Sequence, residues 1–188
     1  MSAPEPTRLE LTEALEGAVG HLRDRDRELR DTTERVVVAR LMIYLDQELD
    51  ELPNPKKFRL DMEYERAGTN PKAFAGSGPG RKSRRKIVPD LIYHQRLAQG
   101  DFANHLAIEV KARPGRWEDH DLAKLALLTG RARYAFVERR TLRLPGPSDS
   151  PTPPPDRDVV CLRRGFQPYT FGALLRLYED KGFIHWVR

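Results

Sequence analysis

Residues 87–94 (Ile-Val-Pro-Asp-Leu-Ile-Tyr-His) and 105–112 (His-Leu-Ala-Ile-Glu-Val-Lys-Ala) are two short apolar runs, each interrupted by charge. Runs of this length and composition read as strands. Side chains two apart on a strand face the same way. Leu106, Ile108 and Val110 therefore share one side, and Ala107, Glu109 and Lys111 share the other. On the first strand Asp90 projects with Val88 and Ile92. The connecting segment contains Gly100-Asp101, which predicts an antiparallel hairpin. Pairing the strands sets Asp90 beside Glu109. A carboxylate on an apolar strand costs free energy unless something offsets its charge.

The surrounding pattern predicts one α/β domain over residues 1–188. Residues 7–30 read as a helix with Leu11, Leu15, Val19 and Leu22 on one stripe. That stripe packs on its own domain or offers a face to a partner helix. It fades into Arg23-Asp24-Arg25-Asp26-Arg27, a mixed-charge stretch suited to a solvent-facing helix end. A second helix starts near Thr32-Thr33, with Thr33 as cap and Glu34 in the first turn, where a carboxylate suits the helix dipole. Its ladder is Val37, Leu41, Leu45 and Leu49, and Pro53 and Pro55 end it. Glu34, seven residues before Leu41, falls on the ladder's buried face. Residues 57–65 alternate as a strand, with Phe58, Leu60, Met62 and Tyr64 on one side. Residues 67–86, with four Gly and two Pro, read as a long loop.

Residues 118–129 read as a helix with Leu122, Leu125, Ala126 and Thr129 inward. Glu118-Asp119-His120-Asp121 opens it and reads as capping and dipole complement. Residues 133–138 and 158–163 read as strands, 170–180 as a helix and 183–187 as a short strand. Six of the eleven residues 145–155 are proline, marking a connector to a C-terminal extension, 156–188.

Composition narrows the chemistry. The net charge of +5 permits an anionic partner without requiring one. Five of the six residues 81–86 are cationic (Arg81, Lys82, Arg84, Arg85 and Lys86), either a solvated loop or a surface for phosphate. The single cysteine, Cys161, excludes an internal disulfide and any Cys-rich zinc cluster, and it suits a reducing cytoplasm. No apolar signal core opens the chain, and the longest apolar run, 36–45, is broken by Arg40 and too short for a bilayer. The histidines show no ligand spacing, His94 reads as packing at a strand end, and no phosphate-binding glycine loop stands between a strand and a helix.

Asp90 beside Glu109 therefore carries the chemistry. Two carboxylates this close repel unless a cation lies between them. A hard divalent ion held through oxygens, typically Mg2+ keeping several waters, meets that need. It can acidify a water and neutralise charge on a phosphate, while Lys111 positions that water or balances developing charge. Each piece alone is weak: Glu179 and Lys181 repeat the Glu-x-Lys spacing at the end of an expected helix, and Glu109 with Lys111 reads equally as a surface ion pair. The force lies in the combination of Pro89-Asp90, Glu109-x-Lys111 nineteen residues later, and a helical acid, Glu34, before both.

Ile-Val-Pro-Asp90-Leu-Ile followed by Ala-Ile-Glu109-Val-Lys111 resembles the paired motifs of the PD-(D/E)XK nuclease superfamily. Thr-Glu34-Arg35-Val-Val-Val-Ala-Arg-Leu, Leu-Asp61-Met-Glu63-Tyr64-Glu-Arg66 and Asp121-Leu-Ala-Lys124-Leu resemble a group of its small bacterial members. The resemblance covers residues 32–137. The turn after His94 departs from it, with Gln95-Arg96-Leu97 where Arg-Gly is usual. The resemblance implies a restriction-endonuclease-like fold, a central mixed sheet flanked by helices. It implies Asp90 and Glu109 as metal ligands with the Val110 carbonyl as a third, Lys111 as the catalytic lysine and Glu34 as the helical acid. Lys124 either faces the site from the following helix or is a solvated helix lysine. The expectation is Mg2+- or Mn2+-dependent phosphodiester hydrolysis, endo- or exonucleolytic, of DNA more than RNA. Arg81, Lys82, Arg84, Arg85, Lys86 and Lys124 would then lie near the nucleic acid. The alternatives are a non-catalytic nucleic-acid- or protein-binding module on the same fold, or a subunit active only with its partner or as a homodimer.

Overall fold

The computed structural model describes residues 5–26, 28–29, 32–52, 58–62, 66–67, 70–71, 73–76, 85–86, 88–95, 104–113, 118–131, 134–138, 141–143, 158–161, 168–178 and 183–187. In chain order the elements are α1 (Arg8–Arg25), α2 (Glu34–Asp50), β1 (Arg59–Met62), β2 (Arg66–Ala67), β3 (Asn70–Pro71), β4 (Ala73–Gly76), β5 (Arg85–Lys86), β6 (Leu91–His94), β7 (Asn104–Lys111), α3 (Glu118–Leu128), β8 (Tyr134–Glu138), β9 (Thr141–Arg143), β10 (Asp158–Cys161), β11 (Phe171–Arg176) and β12 (Phe183–Val187).

Thr7 starts α1 with a reciprocal cap. Its hydroxyl accepts the Glu10 N–H at 3.3 Å, and its own N–H donates to Glu10 Oε2 at 2.7 Å. The helix ends at Arg25 rather than near residue 30. Asp26, in the stretch expected to face solvent, is instead buried: Tyr44 donates a hydroxyl hydrogen bond to it at 2.7 Å, and Arg40 Nε lies 3.3 Å away. That contact ties the end of α1 to the middle of α2. In α2 the ladder Val37, Leu41, Leu45 and Leu49 is buried as expected, joined by Val38 and Tyr44. Thr33 is the N-cap by position, but its side chain makes no cap bond.

The central sheet has five strands in the order β1-β6-β7-β11-β12. Every pairing is antiparallel except β7 with β11, so the sheet is mixed. The β6–β7 hairpin forms as the alternation required, with Leu91 opposite Ile108 and Ile92 opposite Ala107. On one face Leu91, Tyr93, Leu106, Ile108, Val110, Ala173 and Leu175 pack against α1 and α2. On the other, Ile92, Ala107 and Leu174 pack against Ala123, Leu125, Leu127 and Leu128 of α3. Helices thus flank both faces, which makes the fold mixed α/β. Among the described residues no helix is long and apolar enough to cross a membrane.

Two expectations are corrected. Residues 171–176 form a strand, not a helix. Gly172 to Leu175 are all buried, between β7 and β12, as a strand covered on both faces requires. A Cβ on Gly172 would stand 3.0 Å from Thr129 Cγ2 and 3.4 Å from Leu125 Cβ, so glycine lets α3 approach the sheet. Segments within 67–86 are not loop throughout: β4 joins β5 on one side and β10 on the other in a second sheet, order β5-β4-β10-β8-β9, and β2 pairs with β3. Glu63, Tyr64, Arg81, Lys82, Arg84 and the proline-rich segment 145–155 lie outside the described residues.

Candidate active site

The hairpin register, continued one step past Leu91–Ile108, sets Asp90 opposite Glu109. Asp90 lies in the bend before β6, and its Oδ2 accepts the Val110 N–H at 2.8 Å. A strand residue's N–H and C=O point to the same neighbour. The Val110 carbonyl therefore faces the edge that Asp90 occupies. Glu109 is 1% exposed on the α3 face, and its Oε2 lies 2.7 Å from Lys124 Nζ. Its other oxygen, Oε1, is buried without a hydrogen-bond partner. Lys124 Nζ also donates to the Val88 carbonyl at 3.2 Å, which ties α3 to the chain entering β6.

Lys111 ends β7. Its ammonium lies 2.9 Å from Asp121 Oδ2 and 3.4 Å from Glu34 Oε1. The Asp121 contact is an ion pair by distance, although Oδ2 gains no well-aligned hydrogen bond from it. Glu34 Oε2 accepts the Ala112 N–H at 3.2 Å. The start of α2 is thereby fastened to the exit of β7, and Glu34 reaches the site over the strand's end. By spacing it shares the ladder's side of α2, but at the helix start it is only part-buried, its side chain keeping 41% of its surface exposed.

Four carboxylates (Glu34, Asp90, Glu109, Asp121) and two ammoniums (Lys111, Lys124) thus share one cluster. Burial pushes the Glu109 carboxyl well above the usual carboxylate range; Lys124 opposes this, and the Asp90 and Asp121 charges add to it. Burial also raises Asp90 against the Val110 N–H and the Lys124 charge. For Lys111 burial works against the charge, but the Asp121 and Glu34 carboxylates prevail and its pKa is raised. Asp121 is lowered despite burial, by His120 and by the Lys111 and Lys124 ammoniums.

Asp121 is the site residue that helix-capping logic missed. It is 5% exposed, although the acidic opening of α3 suggested a solvated cap. The spacing held the signal: Asp121, Leu125 and Leu128 fall at i, i+4 and i+7, and Lys124 at i+3 joins that face. Lys124 points into the cluster, so it is not a solvated helix lysine and its ammonium is not offered at the surface. Of the basic run, β5 places the backbones of Arg85 and Lys86 opposite Phe74 and Ala73. His94 packs at its strand end as expected, with Nε2 2.6 Å from Asp61 Oδ2.

The donor chemistry bears on the metal expectation. Among the described residues no three His, Cys, Asp or Glu side chains gather closely enough to hold an ion by themselves. The groups that could hold one are two carboxylates, Asp90 and Glu109, with the Val110 carbonyl. That is a set a magnesium-type ion accepts, since it keeps most of its waters. The buried, unpartnered Glu109 Oε1 suits such a cation and is costly otherwise. No family model matches this chain, and no curated protein or solved structure matches it.

Proposed function

We propose that the protein is a divalent-metal-dependent nuclease with a restriction-endonuclease-like fold. The observation that carries this reading is that Asp90, Glu109 and Lys111 meet at the open end of one hairpin, on one sheet face, with a buried carboxylate oxygen left unsatisfied. Asp90, Glu109 and the Val110 carbonyl would hold Mg2+ or Mn2+. When bound, the ion supplies an acidified water and neutralises phosphate charge. Lys111, kept charged by Asp121 and Glu34, orients the attacking water and balances the charge that develops on the phosphate. Glu34, half exposed at the mouth, accepts a hydrogen bond from water entering the site. The basic run 81–86 supports a polyanionic substrate, with contacts to the backbone rather than to bases. DNA is the favoured substrate.

The test is a cleavage panel over single- and double-stranded DNA and RNA with Mg2+ or Mn2+, for the native chain and Lys111→Ala. The variant is expected to lose about a hundred- to thousandfold in turnover. Equal activity in both proteins would remove Lys111 from the mechanism.

A further inference from the structure

Lys124 stands among three oxygen partners within the cluster. Its ammonium makes its shortest contact, 2.7 Å, with Glu109 Oε2; the Val88 carbonyl is at 3.2 Å and Asp121 Oδ1 at 4.0 Å. The lysine is nearly buried, with 12% of its side chain exposed, and Glu109 is fully enclosed. An ionised carboxylate in that setting requires a cation at hand. Lys124 supplies one from the protein itself, at an oxygen of the same carboxylate that the metal reading assigns to the ion.

Resting on that reading, we propose that Lys124 is the built-in counter-ion of the metal-free site, and that its ammonium and a divalent cation alternate as the charge partner of the Glu109 carboxylate, the cation entering at the free Oε1 and Lys124 then leaving Oε2. The receiving position is already present. Asp121 lies on the same face of α3, three residues back, and its Oδ1 is within a short side-chain movement of Lys124 Nζ. Arrival of the cation moves Lys124 from Glu109 to Asp121, which also anchors Lys111. With every group ionised, four carboxylates and two ammoniums leave the cluster at −2, the charge one divalent ion neutralises. Lys124 thereby keeps the metal-free protein intact at the expense of metal affinity.

The full chain is compared with Lys124→Gln and Lys124→Arg by calorimetric titration with Mg2+ alone and Mn2+ alone, at mildly alkaline pH. Gln keeps a donor for Glu109 and Val88 without the charge; Arg keeps the charge. Removing a cation a few ångströms from the ion should tighten binding about tenfold in Lys124→Gln, while Lys124→Arg stays near the native value. Binding by Lys124→Gln alone also supports the proposal. If the native chain binds metal and Lys124→Gln binds it equally or more weakly, the alternation is wrong and the metal site stands. If neither protein binds either ion, the metal site fails and the alternation with it. A readout on the native chain covers the case in which Lys124→Gln does not fold. The 15Nζ resonance of Lys124 should shift on saturation with Mg2+, and an unmoved resonance overturns the proposal.

Discussion

At the scale of single residues, the cluster divides its work between groups that would touch an ion and groups that hold those in place. Asp121 belongs to the second kind. It lies 2.9 Å from Lys111 Nζ, and its charge helps hold the Lys111 pKa up. Asp121→Asn is therefore expected to lower turnover about ten- to hundredfold, in the range typical of residues that orient a first ligand or catalytic group. It should also move the alkaline limb of the pH–rate profile to lower pH, because Lys111 then loses its proton more easily. A pH profile separates this from a merely structural loss, which would lower the rate at every pH alike. Asp121 was legible as a face-sharing partner of Leu125 and Leu128, but an acidic helix start also satisfies the helix dipole. Choosing between those readings needs the sheet beneath α3. Glu34 was legible as a member of the cluster from its place on the face of Leu41 and from its motif. Its route over the strand's exit follows from the Ala112 N–H, which no periodicity reveals.

At the scale of elements, the hairpin was readable because a period of two sorts its residues onto two faces and both faces here are covered. β11 was misread for a physical reason. Leu174, Leu175 and Tyr178 also fit helical spacing, and an apolar run buried on both faces has no alternation to mark it as a strand. Its strand form depends on β7 alongside and α3 above. Gly172 carries that dependence: Gly172→Val should destabilise the protein by about 1–3 kcal/mol, read by denaturant titration, because the new side chain meets Thr129 and Leu125. The end of α3 makes a separate case. Gly130 has φ +71, its N–H donates to the Leu127 carbonyl and the Arg131 N–H to the Ala126 carbonyl, the Schellman arrangement. Gly130→Ala should cost about 1 kcal/mol, since its Cβ strains that backbone and would also lie 3.2 Å from Pro168.

At the scale of the whole molecule, two sets of buried groups give opposite responses to pH. His105 donates from Nε2 to the Pro6 carbonyl at 2.8 Å and lies among Phe58, Tyr93 and Phe171; burial lowers its pKa from the ordinary 6.5. The unfolded chain binds that proton more readily, so this contribution is complete above about 6.5 and is lost as pH falls towards the depressed folded value. His105→Gln, which keeps a donor for Pro6, should remove that acid-side loss in thermal denaturation. Asp90 and Glu109 act in the other direction. Burial raises both, so the metal-free fold keeps their contribution below the ordinary carboxylate values of 3.8 and 4.5 and loses it as pH rises through the elevated ones. A cation that replaces their protons stabilises the fold more as pH rises. The upward shift in melting temperature on adding Mg2+ should therefore grow from mildly acidic to alkaline pH, and a shift that shrinks over that range would contradict the assignment.

A nuclease of this kind requires Asp90 and Glu109 to hold one cation between them. Anomalous diffraction at the manganese edge, from crystals grown with Mn2+, places that ion directly. The expected result is a single strong peak within coordination distance of Asp90, Glu109 and the Val110 carbonyl, absent from crystals of Asp90→Asn. No peak between the two carboxylates in the native protein, or a peak unchanged in Asp90→Asn, would contradict it.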